Sequence, residues 1–223
     1  LIVEGSVLFP RKDDGRPREK KFRSDMQSEF IAFRSIIEGV HTADGTAEIR
    51  ACFGEDVFTF PKPVELIRQI VEQVTAMDDI CMDFFAGSGT TGVAVAAQNE
   101  LDEGQRRFIL VQLPEPLSAD NREQAVAAKY LEKLGRPKLV SELTKERLRR
   151  AGKELRAKNP MFAGDLGFRV FELDSSNIRA WNPNPEDLQT TVEEHSEHLL
   201  QGRSEQDVLY ELLLKLGLDL AVP

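Results

Sequence analysis

Gly87, Gly89 and Gly92 stand in the spacing G-x-G-x-x-G, and Asp83 precedes the first of them by four positions. Glycine lacks a Cβ, so backbone there can approach a ligand closely. A helix starting on such a turn adds unpaired N–H groups and the positive end of its dipole. Three ligand classes compete for a turn of this kind. A P-loop needs lysine after its last glycine, and Val93 stands there instead; without that ammonium the phosphates lose their principal cation. A nicotinamide or flavin dinucleotide wants an acid about 20 residues on, at the tip of the next strand, to hold the ribose. Position 112 is Gln, whose amide can still hydrogen-bond a hydroxyl. S-adenosylmethionine carries a carboxylate and an ammonium on its methionine end, which suit a helix start with an acid beside it. Asp83 supplies that acid, and the run Asp83-Phe84-Phe85-Ala86-Gly87-Ser88-Gly89-Thr90 is more specific than three glycines.

Other reactive residues are sparse. Cys52 and Cys81 read as reduced thiols of a cytoplasmic protein. Three histidines are too few for a dedicated metal cluster, so no metal site is expected. His195 and His198, three apart on an expected helix, read as a solvated face.

The elements that must hold the glycine turn can be read around it. Residues 79–85 (DICMDFF) form a short apolar run consistent with a strand buried on both faces. The small residues after the turn (VAVAAQN) are helix-compatible, Gly104 marks a turn, and residues 108–113 (FILVQL) read as a second buried strand. Strand, turn, helix and strand in this order make the βαβ unit of a parallel α/β sheet. Upstream, residues 10–29 read as a polar loop or arm, and Asp44-Gly45 as a turn. Pro63 opens a helix with Ile67, Ile70, Val71 and Val74 on one face. Downstream, helices are expected over roughly 120–134 and 142–158, and a strand over 167–173. Asn184-Pro185 should open a helix with Leu188, Val192, His195 and Leu199 on one side. Ser204 and Asp207 cap a last helix whose leucine stripe ends at Gly217.

At 223 residues, 41% hydrophobic and 30% charged, the chain fits one large domain or two small ones with a real core. No run approaches the roughly 18 apolar residues of a membrane-spanning helix, and the opening residues lack the pattern of a signal peptide. With no initiator Met, the chain is expected to be a piece of a longer protein. A net charge of −9 argues against strong general binding of nucleic acid. The charge is nevertheless segregated. Residues 11–23 hold seven bases against three acids, 145–158 seven against two, and from Glu172 onward eleven acids face three bases.

The stretch Asp83-Phe84-Phe85-Ala86-Gly87-Ser88-Gly89-Thr90-Thr91 resembles the S-adenosylmethionine signature of amino-methylating DNA methyltransferases. In particular it resembles that of the modification (Mod) subunits of type III restriction-modification systems, which methylate adenine. Phe60-Pro61-Lys62-Pro63 is similar to the lysine–proline element before that signature. Asn99, Asp102, Gly104 and residues 106–112 (RRFILVQ) resemble the segment after it. Residues 141–151, 167–181 and 207–218 resemble the C-terminal portion, so the likeness spans roughly 50–223. It implies an α/β, Rossmann-like methyltransferase sheet, incomplete at the N-terminus, with a helical C-terminal extension. It also implies direct methyl transfer to the exocyclic amine of adenine, the protein orienting the reactants and holding an extruded base. Asp83 and the Gly87–Gly89 backbone would hold the methionine end, with Phe84, Phe85, Ala86, Ser88, Thr90 and Thr91 completing the signature. Lys62 and Pro63 would shape the pocket entrance, and Gln112 would face the ribose, where related enzymes often carry an acid.

The family's D-P-P-Y-type catalytic loop does not occur in this sequence. The nearest string, Asn182-Pro183-Asn184-Pro185, lacks the aromatic and reads as a turn. No catalytic residue is therefore assigned, and the chain alone is expected to be inactive. In the family's order the loop precedes the lysine–proline element. Residues 1–50 are then expected to be the tail of a target-recognition region with a basic, DNA-facing arm. Residues 51–118 would be the cofactor-binding core, 119–160 a helical segment, and 161–223 an acidic subunit-interaction region. The implied partners are double-stranded DNA, a second Mod subunit in a homodimer and the restriction subunit, with no membrane. Two other readings stay open: a non-catalytic cofactor-binding and docking module, and a nicotinamide dinucleotide oxidoreductase domain.

Overall fold

A computed structural model describes residues 5, 7–11, 14–19, 36–182, 185–189, 192 and 198–220. Two compact units divide it, Leu1–Leu166 and Gly167–Pro223. In the first, a short antiparallel pair, β1 (Val7–Leu8) and β2 (Arg18–Glu19), brackets part of the basic arm that reads from sequence as a loop. The arm's Lys12, Lys20, Lys21 and Arg23 lie outside the described residues.

Helix α1 (Thr42–Phe53) occupies the place where Asp44-Gly45 predicts a turn. Both residues serve the helix instead. The Asp44 carboxylate accepts the His41 N–H at 2.7 Å and so caps the first turn. Gly45 lets α1 lie against the chain at Pro61, where a Cβ would sit 2.2 Å from the Pro61 carbonyl oxygen. The α1 residues Ile49 and Phe53 join Leu117, Tyr130, Leu131 and Leu143 in the main core. Helices α4 (Ala125–Lys133) and α5 (Val140–Lys158) thus share one core with α1, which crosses position 50. Phe53 packs edge-on against Tyr130 at 5.4 Å between ring centroids, within the range that favours such pairs.

The βαβ unit forms as its spacing predicts, with shorter strands. Strands β3 (Ile80–Asp83) and β4 (Arg107–Leu110) pair in parallel, Ile80 opposite Arg107 and Asp83 opposite Leu110. Helix α3 (Thr90–Asp102) crosses between them, and α2 (Val64–Val74) packs along α3. The expectation of strands buried on both faces is corrected. Cys81, Phe108 and Leu110 are half-buried, whereas Ile80, Met82 and Ile109 on the other face are about half exposed. The runs are apolar on both sides, yet no helix among the described residues covers the second side. Beyond α3, Asn99 and Arg106 close the return to β4. The Asn99 amide donates to the Arg106 carbonyl at 2.8 Å, and its oxygen accepts the Arg106 N–H at 3.1 Å.

The second unit centres on α6 (Glu205–Lys215). The predicted cap is present: Asp207 N–H donates to Ser204 Oγ at 3.1 Å, and Ser204 N–H to the Asp207 carboxylate at 3.0 Å. Gly217, at φ 68, ends the helix, with the Leu218 N–H returning to the Leu213 carbonyl at 2.9 Å. The strand expected over 167–173 does not form; its side chains engage α6 instead of a ladder. Phe171 meets Tyr210 edge-on at 5.0 Å, and the Arg169 guanidinium donates to the Tyr210 hydroxyl at 3.2 Å. Of the helix expected from Asn184-Pro185, residues 183–184, 190–191 and 193–197, His195 included, lie outside the described residues. Leu199 stands in an isolated bridge with Ile178 rather than on that helix. No helix among the described residues is long and apolar enough to cross a membrane.

Candidate functional site

The glycine turn joins the carboxyl end of β3 to the start of α3. Its three glycines do different work. Gly87 has φ 50, and a Cβ there would meet only the Phe85 carbonyl oxygen at 3.7 Å, so this position is open. Gly89 (φ 77) is the left-handed residue before α3, and its missing Cβ makes room for Thr144 Cγ2, which would lie 3.1 Å from a Cβ there. Gly92 makes room for Leu148 and Leu110, whose methyls lie 2.8 and 3.1 Å from a Cβ there. At Gly89 and Gly92 the missing Cβ makes room for α5, and at Gly92 for the sheet as well.

Asp83 ends β3 half-buried. One carboxylate oxygen accepts the Phe85 N–H at 3.0 Å and the other the Thr91 hydroxyl at 2.5 Å. An ionised carboxylate accepts about four hydrogen bonds, so capacity for an ammonium remains. The Ala86 carbonyl accepts the Gly89 N–H at 2.7 Å, and the Ala86 N–H reaches the Val111 carbonyl at 3.0 Å, tying the turn to β4. No side chain caps α3, so its first N–H groups keep the partial positive charge of a helix start. Phe84 and Phe85 project outward, 63% and 86% exposed.

The remaining sequence-predicted residues gather around this turn in unequal ways. Gln112 is brought to it directly: its side-chain oxygen accepts the Gly87 N–H at 2.7 Å. Lys62 contributes its backbone, the carbonyl accepting the Thr90 hydroxyl at 3.2 Å, while its side chain is exposed. Pro63 is buried as the residue before α2. Ser88 and Thr90 are buried, their hydroxyls 3.0 Å apart, and face inward.

What they face was not apparent from sequence. Arg147, from the second basic island, is 3% exposed and lies beneath the turn. Its guanidinium donates to Ser88 Oγ at 2.7 Å, Thr90 Oγ1 at 3.0 Å and the Ser88 carbonyl at 3.3 Å. Its other arm reaches Glu48 at 3.3 Å. Glu48 also accepts the Val64 N–H at 3.0 Å, so one carboxylate joins α1, the start of α2 and α5. Burial is the leading influence on both charges. It pushes the Glu48 carboxyl above its ordinary range despite the Val64 N–H and Arg147, and draws Arg147 down despite Glu48. The only signal in the sequence was a threonine and an arginine, Thr144 and Arg147, three apart on one helix face.

The donor set at the turn fits the methionine end of S-adenosylmethionine: a carboxylate, an uncapped helix start and an open left-handed glycine. Residues 12–113 match the family model for DNA methylases. Type III Mod subunits are similar across much of the chain. The StyLTI Mod subunit of Salmonella typhimurium is 41% identical over 173 residues, 77% of this chain and 25% of that protein. The EcoP15I Mod subunit of Escherichia coli is 34% identical over 178 residues, 78% and 24% respectively. The EcoPI Mod subunit of Escherichia phage P1 is 36% identical over 129 residues, 58% and 18%. These likenesses point to the DNA methylase family, whose match spans somewhat under half of the chain. The chain spans about a quarter or less of the length of these Mod subunits.

Proposed function

We propose that this chain is the cofactor-binding part of a type III Mod subunit, an adenine-specific DNA methyltransferase acting within a restriction-modification complex. The Rossmann-like sheet of that enzyme would be extended at the free edges of β3 and β4, and its helices would cover their exposed face. S-adenosylmethionine, when bound, supplies an activated methyl group on a sulfonium. Asp83 would accept the ammonium of its methionine end, and Gly87 and the start of α3 would meet the carboxylate. Phe84 and Phe85 would wall the pocket, Lys62 and Pro63 would border its entrance, and Gln112 would turn toward the ribose. The observation that carries this reading is the pairing of an open Gly87 with Asp83 at the foot of an uncapped helix.

Double-stranded DNA, a second Mod copy and the restriction subunit are the proposed partners. Isothermal titration of the chain with S-adenosylmethionine and with a nicotinamide dinucleotide tests the reading. Binding of the first and not the second is expected; the reverse would establish the oxidoreductase reading. Gly87→Asp should abolish binding by setting a carboxylate against the cofactor's own, and it should lower the melting temperature only modestly, since the left-handed backbone at φ 50 strains aspartate less than most residues. Retained affinity in that variant would move the site elsewhere. The chain alone should transfer no labelled methyl group to DNA, because its sequence holds no D-P-P-Y-type loop; incorporation of label would refute this.

A further inference from the structure

We propose that Thr144 and Arg147 are positioning residues that set the peptide orientation of the glycine turn and thereby its affinity for the cofactor. The proposal rests on the reading of the turn as the S-adenosylmethionine site. The Thr144 hydroxyl, 5% exposed as a residue, lies 2.6 Å from the Gly87 carbonyl oxygen and 3.2 Å from the carbonyl of Val140 in its own helix. The shorter contact makes the Gly87 carbonyl its principal acceptor. Arg147, one helical turn on, takes the next carbonyl of the loop, that of Ser88, together with the Ser88 and Thr90 hydroxyls.

In a trans peptide the carbonyl and the following N–H point in opposite directions. A Gly87 carbonyl held toward α5 therefore aims the Ser88 N–H away from α5. Glycine at 87 makes this grip necessary. With no Cβ, that residue moves freely between backbone basins, so the conformation that presents the turn's N–H groups must be imposed from outside. Thr144 imposes it through the carbonyl and through its methyl, which packs 3.1 Å from where a Cβ of residue 89 would stand. Glu48 completes the clamp by holding Arg147 and the Val64 N–H at the start of α2, next to the lysine–proline element.

Thr144→Val keeps the methyl that faces Gly89 and replaces the donor with a second methyl, which cannot hold the Gly87 carbonyl at hydrogen-bond distance; Thr144→Ser keeps the donor. Affinity for S-adenosylmethionine is measured by titration calorimetry on the full chain, beside the melting temperature without ligand. The expected result is an affinity about tenfold weaker in Thr144→Val, the scale of one hydrogen bond, and restored to within about twofold in Thr144→Ser. Arg147→Lys, whose single ammonium nitrogen cannot reach the turn's acceptors and Glu48 together as the two arms of the guanidinium do, should weaken binding at least as much. Unchanged affinity in Thr144→Val with a lowered melting temperature would assign Thr144 to stability alone and overturn the proposal. Equal weakening in Thr144→Ser would overturn it too, since the hydroxyl would then not be the operative group. No binding by the unaltered chain would instead remove the cofactor reading on which it rests.

Discussion

Helices α5 and α6 invert the usual relation between composition and burial. Helix α5 is dense in charge, yet it buries Glu142, Thr144 and Arg147 along with Leu143. Helix α6 is rich in leucine, yet none of its residues is buried, and Leu209, Leu212 and Leu214 are between 42% and 62% exposed. The difference lies in what each helix meets. Helix α5 offers donors to a turn whose carbonyls and hydroxyls have few other partners, and buried polar groups are tolerated where they are hydrogen-bonded. Within its own unit, α6 is held by its polar edge. Glu211 accepts the Asn177 N–H at 2.5 Å and the Ser176 hydroxyl, and the Asn177 amide donates to the Asp207 carbonyl at 3.1 Å.

Substitutions can break this contrast. Arg147→Ala should destabilise the chain most, by about 3–4 kcal/mol in denaturant titration. It removes three hydrogen bonds to the turn and leaves Glu48 without its counter-charge. Leu143→Ala on the same helix should cost about 2–4 kcal/mol, because the leucine is 1% exposed in the main core. Gly92→Ala should cost about 1–2 kcal/mol by forcing Leu148 and Leu110 off a Cβ they would touch at 2.8 and 3.1 Å. A neutral result there would mean that α5 does not seat closely on α3.

The attachment of α6 predicts an acid sensitivity. Lys215, with Ser176 and Asn177, holds the Glu211 carboxyl down at about 2. A depressed carboxylate contributes stability above its unfolded value, about 4.3, and that contribution is lost as pH falls toward 2. The Tyr210 ring signals, followed by NMR, should therefore leave their folded positions across that window. Leu214→Ser, on the leucine face, should change stability by less than about 0.5 kcal/mol. A cost of several times that size would show the face to be covered in solution.

How much of this was legible follows the range of the interactions. The cap of α6 was readable because Ser204 and Asp207 are three residues apart, and Gly217 ends the helix locally. The βαβ unit was readable because its glycine turn and flanking apolar runs are contiguous. Asp44-Gly45 misled because the same dipeptide that favours a turn here caps a helix and admits Pro61 from another segment. The strand expected over 167–173 failed because a β-compatible run needs a ladder partner, and its aromatic residue packs on Tyr210 instead. The second basic island hid its role most deeply. Arg147 and Ser88 are 59 positions apart, and nothing in the local pattern of α5 separates a guanidinium beneath the turn from those in solvent.

On the proposed reading of the turn as a cofactor site, Gln112 is its resident competitor. Its amide oxygen already takes the Gly87 N–H, so an arriving carboxylate exchanges one acceptor for another there instead of adding a bond. What is gained at that amide is the margin of a charged acceptor over a neutral one, and the displaced side chain is freed to seek a hydroxyl. On that reading, filling the turn and the rotamer of residue 112 would form one linked equilibrium, in which a stiffer glutamine would raise the dissociation constant without touching the ligand.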